Sequence, residues 1–313
     1  MKVAIAYQHF GEWGLQAMER LQVSGLTIVE VDEKAVLSEQ SLIKAITGCT
    51  AVIAGNEPYG AKVLDAVPSL KVIARCGIRA EGIDVAHARE RNIRIFISDK
   101  AHVQSMTEFV LGGLLSLLRG FPEMDFDVRK GTWRPVTGGL LSGKQVGIVG
   151  FGRVGRSVAE LCLAFGCKVS FHDPFLESTC SLPSGHIIYN VPLDELASWS
   201  DVLTLHCPLG EGGEAVVNDA RLKLMPQGAI VVNTSDPKLI DEPSLYAAIN
   251  KGHLGGAIID VFSHEPYDGP LLELDGVLLS PHAAAYTAEC HAQMEIEAVQ
   301  AVLETLGIVL PEE

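Results

Sequence analysis

The 313-residue sequence predicts an α/β protein with parallel sheets that are covered by helices on both faces. Short apolar runs alternate with amphipathic segments along the whole chain, which is typical of parallel sheets with helices on both faces. Most of the apolar runs lack a period of two, as expected for strands buried on both faces. At roughly 150 residues per domain, the length corresponds to about two domains.

The apolar runs predict eleven strands, and the segments between them predict helices. The predicted strands are Val3–Ala6, Thr27–Val31, Ala51–Ala54, Lys71–Ala74, Ile93–Ile97, Val146–Val149, Lys168–Phe171, Val202–His206, Ala229–Val232, Ala257–Asp260 and Val277–Leu279. Amphipathic helices are predicted at Ser41–Ile46, Ser157–Ala164 and Ser244–Ile249.

One further segment, Gln104–Leu118, is apolar almost all round and therefore predicts a helix that is buried on more than one side. We interpret it as the element that crosses between two lobes and packs against a partner subunit, so that the protein is a homodimer. The alternative is an interior core helix of a monomer.

Composition and charge exclude several classes of partner. The formal net charge is −15 and the 24 Lys and Arg residues are scattered, which argues against a nucleic-acid partner. No apolar stretch approaches the ~20 residues of a membrane span. The start, MKVAIAYQHF, lacks the apolar core of a signal peptide, and seven cysteines without a CxxC pair are typical of reduced thiols. We therefore expect a cytoplasmic protein that binds neither membrane nor nucleic acid, with no metal site.

A glycine motif follows the predicted strand Val146–Val149 and opens a helix, in the form Gly150-Phe-Gly152-Arg153-Val154-Gly155. In a dinucleotide site the first glycine makes a tight turn and the second lets the backbone approach the pyrophosphate. The third lets the helix pack on the strand. The helix N-terminus offers free N–H groups to the phosphates.

Asp173 ends the next strand, 18 residues after Gly155. A carboxylate at this position accepts hydrogen bonds from the adenosine ribose and repels a 2′-phosphate, so the motif predicts NAD rather than NADP as the cofactor. The alternative is a glycine-rich turn in an α/β fold that binds nothing.

The chain resembles the D-isomer-specific 2-hydroxyacid dehydrogenases, the family that includes phosphoglycerate dehydrogenase, over nearly its whole length. The resemblance lies in the glycine motif and in IARCGIRAEGID (73–84), MTEFVLGGLLSLLR (106–119), LHCPL (205–209), VVNTSDPKLIDEPSL (231–245), AIIDVFSHEP (257–266) and LLSPHAAAYT (278–287). It implies two doubly wound lobes, a flavodoxin-like substrate lobe of residues 1–98 and 285–313 and a Rossmann cofactor lobe of residues 99–284. The active site is expected in the cleft between them.

The family uses an Arg, a Glu and a His to transfer hydride between a nicotinamide cofactor and a small 2-hydroxy or 2-keto acid. The resemblance identifies His282 as the proton donor to the carbonyl oxygen and Glu265 as the carboxylate that orients the imidazole. Without the resemblance, His282 would be interpreted as a capping or core histidine and Glu265 as part of a surface turn.

Other matched residues are expected around the cofactor. Asp260 matches the family aspartate near the nicotinamide carboxamide, and Asn233 and Thr234 end a strand on the same rim. His206 and Pro208 lie at the end of another strand, whose backbone is expected to border the cofactor; the His206 side chain and His264 are expected to be structural. Ordinary strand-end capping is the alternative for these residues.

The chain departs from the family pattern at two positions. The family arginine that grips the substrate carboxylate is replaced by Asp236, followed by Pro237. Two like charges ~4 Å apart repel by about 4 kcal/mol at an effective dielectric of 20, so Asp236 disfavours the usual substrate pose. In the loop 77–82, where the family backbone faces the substrate carboxylate, Arg79 replaces a glycine.

These departures leave several functions open. Arg79 is expected either to bind a small anionic substrate directly or to neutralise Asp236; alternatively it points to solvent and the two changes are unrelated. The leading hypothesis is an NAD-dependent oxidoreductase with atypical substrate recognition. The alternatives are an NAD-binding member without dehydrogenase turnover, such as a sensor, and non-redox chemistry at the same site.

Overall fold

A computed structural model describes residues 1–32, 38–210 and 212–310 of the chain. The first elements are β1 (Lys2–Ile5), α1 (Gln16–Val23), β2 (Thr27–Glu30), α2 (Glu39–Ile46), β3 (Ala51–Ala54), α3 (Ala61–Ala66), β4 (Val72–Arg75), α4 (Val85–Glu90), β5 (Arg94–Ile97) and α5 (His102–Arg119). They are followed by α6 (Phe121–Arg129), β6 (Gln145–Val149), α7 (Arg153–Ala164), β7 (Lys168–His172), β8 (Thr179–Ser181), β9 (Ile187–Tyr189), α8 (Leu193–Trp199), β10 (Val202–Leu205), α9 (Asp219–Leu224), β11 (Ile230–Asn233), α10 (Glu242–Asn250), β12 (Gly256–Ile259), β13 (Val277–Leu279) and α11 (Ala288–Leu306), with 3₁₀ turns at Pro237–Leu239 and Pro270–Glu273.

The chain divides into two compact units, residues 1–102 with 286–313 and residues 103–285. The first unit contains a five-stranded parallel sheet in the order β2-β1-β3-β4-β5, which is the flavodoxin-like order. Helices α1 and α11 cover one face of this sheet, and α2, α3 and α4 cover the other. The order reverses between β1 and β3, and such a switch point leaves a crevice beyond the carboxyl ends of the two strands.

The second unit contains a six-stranded parallel sheet in the order β13-β12-β11-β10-β6-β7. Its switch point lies between β6, which precedes the glycine motif, and β10. The strands are buried because helices on both faces contribute apolar side chains to two cores. A short antiparallel hairpin, β8 with β9, stands beside the sheet.

The predicted α/β fold with two parallel sheets is confirmed. All eleven predicted strands occur, each within one residue of its predicted ends, because continuous apolar runs have no other way to be buried on both faces. The hairpin β8–β9 was not predicted, since its three-residue strands are short and mostly exposed.

Helix α5 is longer than predicted, and its exposed surface is a narrow stripe that contains Gln104, Glu108 and Gly112. Several large exposed apolar side chains of this unit lie just after α5, on α6 and the segment that follows it: Phe121, Phe126, Val128, Trp133 and Leu140. That the protein is a homodimer stays a prediction. Among the described residues, no helix combines the length and apolar character needed to cross a membrane.

The core of the first unit contains the carboxyl group of Glu295. Glu295, on α11, is 0% exposed, and its Oε2 accepts a hydrogen bond of 3.0 Å from the backbone N–H of Gly11. Its other carboxyl oxygen has no hydrogen-bond partner within the described part of the chain. Burial, which penalises the carboxylate, raises the pKa of Glu295 to about 7.

Glu295 predicts a pH dependence of stability. Because its pKa is higher in the folded chain than its ordinary value of 4.5, the stability it contributes is present below pH 4.5 and is lost as the pH rises through about 7. At about 1.4 kcal/mol per pKa unit, a shift from 4.5 to about 7 corresponds to a loss of at most about 3 to 4 kcal/mol. Urea unfolding between pH 4.5 and pH 7 should show that the free energy of unfolding of the parent declines as the pH rises. In Glu295→Gln this decline should be much smaller.

The exposed Glu304 of the same helix supplies the control, because Glu304→Gln should leave the decline unchanged. Identical pH profiles of the parent and Glu295→Gln would contradict the assignment.

Candidate active site

The glycine motif forms the turn between β6 and α7. Gly150 has φ +87°, and a Cβ there would lie 2.7 Å from the Cβ of Cys207. A Cβ on Gly155 would lie 2.2 Å from the carbonyl oxygen of Gly150, so this glycine lets the helix pack on the turn. At Gly152, by contrast, no described atom lies within 4 Å of the Cβ position, which leaves the backbone open to a ligand.

Helix α7 begins with its backbone donors available. Gly152 is its N-cap and supplies no side-chain cap, and the helix then runs for 12 residues from Arg153 and Val154. The first N–H groups of a helix have no partner within it and carry a partial positive charge. The open backbone at Gly152 and this uncapped helix end therefore fit the pyrophosphate of a dinucleotide.

Asp173, directly after β7, is held beside the glycine turn by two backbone donors. Its Oδ2 accepts a hydrogen bond of 2.9 Å from Phe151 N–H, and its Oδ1 accepts one of 3.0 Å from Phe175 N–H. The side chain is only partly buried. A carboxylate fixed in this way has lone pairs left for the hydroxyls of a ribose.

The carboxyl ends of β10 and β11 carry two buried polar atoms without a partner in the described residues, His206 Nδ1 and Thr234 Oγ1. His206 Nε2 lies 2.9 Å from Thr204 Oγ1, and burial lowers the pKa of this imidazole to about 4. Because β10 and β11 are neighbours, both unpartnered atoms lie at one edge of the sheet. They fit the polar groups of a bound dinucleotide, and Pro208 lies exposed beside them.

Asn233, at the end of β11, shapes the loop that contains Asp236. Its Oδ1 accepts a hydrogen bond from Ser235 N–H at 3.1 Å, and its Nδ2 donates to the Asp236 carbonyl oxygen at 2.8 Å. The Asp236 carboxylate accepts a hydrogen bond of 2.9 Å from Lys238 N–H and so caps the 3₁₀ turn at Pro237–Leu239. Asp236 therefore has a structural role, as the cap of this turn, that the sequence did not indicate.

Asp260 anchors the loop that carries His282. The Asp260 carboxylate is 1% exposed and accepts three hydrogen bonds: from Ser280 Oγ at 2.5 Å, from Ala283 N–H at 2.7 Å and from Ala284 N–H at 2.9 Å. The sequence placed Asp260 near the cofactor but did not indicate this bracing role. Its expected proximity to the nicotinamide stays a prediction.

His282 and Glu265 lie together in the second unit. His282 Nδ1 is 3.2 Å from Glu265 Oε1 and 3.3 Å from Glu265 Oε2, so Nε2 is the ring nitrogen turned away from the carboxylate. The His282 backbone has φ +55°, which is uncommon for a residue other than glycine and is typical of functional sites. The arrangement holds an imidazole by one nitrogen and leaves the other for acid–base chemistry.

Arg75, the last residue of β4, supports the loop 77–82 of the first unit through hydrogen bonds. This guanidinium is 3% exposed; it donates to Asn56 Oδ1 at 2.5 Å and to the Glu81 carbonyl oxygen. Arg79, on the loop itself, is exposed, and its Nη1 lies 3.5 Å from Glu81 Oε1. The sequence analysis gave Arg75 no role. A cation that directly follows the apolar run Val72-Ile73-Ala74 could have indicated a buried polar contact.

The chain is similar to known proteins over most of its length. Residues 111–284 match the family model of the D-isomer specific 2-hydroxyacid dehydrogenase, NAD binding domain. Hydroxypyruvate reductase of Thermotoga maritima is 36% identical over 279 residues, which cover 87% of this chain and 90% of that protein. Glyoxylate reductase of Korarchaeum cryptofilum is 32% identical over 84% of this chain and 81% of its own. The solved structure of the TT0316 protein from Thermus thermophilus has a TM-score of 0.85 and 31% identity, and covers 100% of this chain and 99% of that chain.

Asp173 is expected to determine the choice of cofactor. A fixed carboxylate at the ribose repels a 2′-phosphate, so we expect fluorescence titration to show at least about tenfold tighter binding of NADH than of NADPH. Asp173→Asn keeps an acceptor for Phe151 N–H and should reduce the ratio of NADH to NADPH affinity. Asp275 is exposed, and Asp275→Asn should leave that ratio unchanged. Equal affinity of the parent for both cofactors would exclude this role of Asp173.

His282 is expected to be essential for turnover and dispensable for cofactor binding. His282→Asn, which tolerates a positive φ, should lower the rate by roughly 10²–10⁴-fold while NADH titration stays unchanged. The exposed His264, paired with Asp268, supplies the control, and His264→Asn should keep the parental rate. A His282→Asn rate within about twofold of the parent would show that another group moves the proton.

Proposed function

This chain belongs to the D-isomer-specific 2-hydroxyacid dehydrogenases, which are NAD-dependent oxidoreductases, and we propose that it interconverts a small 2-keto acid and its 2-hydroxy acid through His282 and Glu265. The observation that carries the proposal is this pair: His282 Nδ1 lies 3.2 Å from Glu265 Oε1, and His282 stands on a loop that the buried Asp260 anchors. The hydroxypyruvate and glyoxylate reductases among its relatives are named for small 2-keto acids.

In the direction of reduction, His282 holds the transferred proton at Nε2 and donates it to the carbonyl oxygen of the substrate. The Glu265 carboxylate faces Nδ1 and stabilises the imidazolium before the proton leaves. When bound, the nicotinamide supplies a hydride to the carbonyl carbon and is left oxidised. In the direction of oxidation, the same imidazole accepts the hydroxyl proton.

Substrate recognition is proposed to differ from the family pattern. Asp236 stands where the resemblance expects a substrate-binding arginine, and its carboxylate caps a turn. Arg79 is a cation on the loop expected to face the substrate carboxylate. Its exposed guanidinium lies 3.5 Å from Glu81 Oε1. We infer that Arg79 binds the substrate anion in place of the missing arginine.

One observation favours a second function. A carboxylate at the position of the family arginine opposes any anionic substrate, which suits a protein that binds NAD without dehydrogenase turnover. The His282–Glu265 pair favours the oxidoreductase, because a protein without turnover has no need of a strained histidine beside a carboxylate.

Arg79 and Asp236 supply the test of substrate recognition. Arg79→Ala should raise the KM for a 2-keto acid at least about tenfold, a loss of about 1.4 kcal/mol of binding. Asp236→Asn removes the opposing charge while asparagine keeps the cap, so it should partly restore binding in the double variant. If both side chains act on the same substrate anion, the double-mutant cycle should show a coupling of about 0.5–3 kcal/mol.

Arg89→Ala is the control. Arg89 is an exposed residue of α4, so this variant removes a positive charge from the same unit but outside the loop 77–82. An unchanged KM in Arg79→Ala would leave the substrate anion without its proposed partner. Absence of activity in the parent, with NADH binding intact, would instead favour the function without turnover.

A further inference from the structure

Asn190, which directly follows the hairpin strand β9, is hydrogen-bonded to the backbone of Asp173. Its Oδ1 accepts a hydrogen bond of 3.1 Å from Asp173 N–H, and its Nδ2 donates to the Asp173 carbonyl oxygen at 2.8 Å. Nδ2 also donates to the Leu176 carbonyl oxygen at 3.0 Å. Only this orientation of the amide satisfies all three contacts, because the two carbonyl oxygens need donors and Asp173 N–H needs an acceptor. The Asn190 side chain therefore holds both ends of the segment 173–176.

These contacts lie at the open edge of the six-stranded sheet. β7 is an edge strand, so its backbone has a strand of the sheet on one side only. On the other side, Asn190 forms a parallel bridge with Phe171, and Val191 N–H donates to the Phe171 carbonyl oxygen at 2.9 Å. The Asn190 side chain extends this pairing by two residues, to Asp173, where its amide takes the place of a strand backbone. The hairpin β8–β9 thus fixes the end of β7 through one side chain.

The position of the Asp173 carboxylate depends on this backbone. Its two oxygens accept hydrogen bonds from Phe151 N–H and Phe175 N–H, and Asn190 holds the N–H and the carbonyl oxygen of the same residue. A carboxylate held at all of these points cannot turn away from a ligand unless several hydrogen bonds break together. Without Asn190, the backbone of Asp173 would be exposed at a sheet edge and free to move with the loop that follows it.

Fixation of the carboxylate determines how strongly it discriminates between the two nicotinamide cofactors. A carboxylate that cannot withdraw keeps its hydrogen bonds to the ribose hydroxyls of NADH and repels the 2′-phosphate of NADPH at short range. Because the repulsion between like charges falls with distance, a mobile carboxylate relieves it by moving away. The same movement weakens the hydrogen bonds to the ribose. Mobility at Asp173 should therefore disfavour NADH and tolerate NADPH.

We propose that Asn190 is a positioning residue for cofactor choice, which acts by holding the backbone of Asp173 so that its carboxylate faces the adenosine ribose and excludes a 2′-phosphate. The inference rests on the assignment of Asp173 to the ribose. It goes beyond the proposed reaction, because it concerns the binding of the cofactor and is measured without turnover.

Asn190→Leu supplies the test, since it removes three hydrogen bonds at nearly constant side-chain volume. We expect fluorescence titration to show weaker NADH binding and a ratio of NADH to NADPH affinity at least about threefold below that of the parent. Asn190→Ala adds no apolar bulk and should lower the ratio in the same way if leucine disturbs the hairpin. Asn250→Leu makes the matched substitution at an exposed position of the same unit and should keep the parental ratio.

A double variant separates positioning from a general loss of structure. Asn190→Leu should lower the affinity ratio in the parent but leave it unchanged in Asp173→Asn, which already lacks the discriminating charge. The two substitutions are therefore expected to be non-additive in their effect on the ratio. A general loosening of the unit would instead weaken both cofactors by the same factor and leave the ratio unchanged in either background.

Three outcomes would overturn the inference. A parental preference for NADH of at least about tenfold that neither Asn190 variant lowers would exclude the role of Asn190 alone. A ratio that Asn190→Leu lowers equally in the Asp173→Asn background would show that Asn190 acts other than through the carboxylate. Equal affinity of the parent for both cofactors would overturn the role of Asp173 and this inference together, whereas the proposed reaction would still be decided by turnover.

Discussion

Parallel strands all end at the same edge of a sheet, and this constraint determines where the polar residues of the molecule collect. Inside each sheet the backbone groups pair with neighbouring strands and the buried side chains are mostly apolar, so few polar groups are available to a ligand there. Beyond the carboxyl ends the chain turns, and in the second unit Gly150, Asp173, His206 and Asp260 each directly follow a strand. In the first unit Asn56 lies at the equivalent edge, beyond the end of β3. The fold thus separates stability, which lies in the strands, from chemistry, which lies at their ends.

Within that edge, the buried carboxylate of Asp260 orders the loop on which acid–base chemistry depends. Three donors from residues 280–284 converge on its two oxygens, and His282 lies between the residues that supply them. A backbone with positive φ persists only when its surroundings hold it, and Asp260 is part of that support. Removal of the carboxylate would leave buried donors without a partner, at about 1–3 kcal/mol each. The pairing of His282 with Glu265 is therefore a consequence of packing at the end of β12, as much as of the two residues themselves.

Much of the fold could be predicted from the sequence because it depends on local patterns, whereas the roles of His282, Glu265 and Asp260 were expected only from the family resemblance. Apolar runs predict buried strands, and the motif around Gly150 predicts a turn that only glycine can make. The contacts of buried polar groups could not be predicted, since they join residues far apart in the chain. The Tyr7 hydroxyl contacts His291 Nδ1 across 284 positions of the chain, and no spacing rule connects the two residues. The bracing of loop 77–82 by Arg75 was missed for the same reason.

The central claim is that the chain transfers hydride between the nicotinamide and C2 of a small 2-keto acid. The direct measurement is NMR analysis of the product formed from hydroxypyruvate with NADH deuterated at C4 of the nicotinamide. Our account predicts a 2-hydroxy acid of D configuration with deuterium on C2, and no such product with His282→Asn at matched NADH saturation. Saturating NADH binding by the parent with no deuterium in any acid product would contradict it.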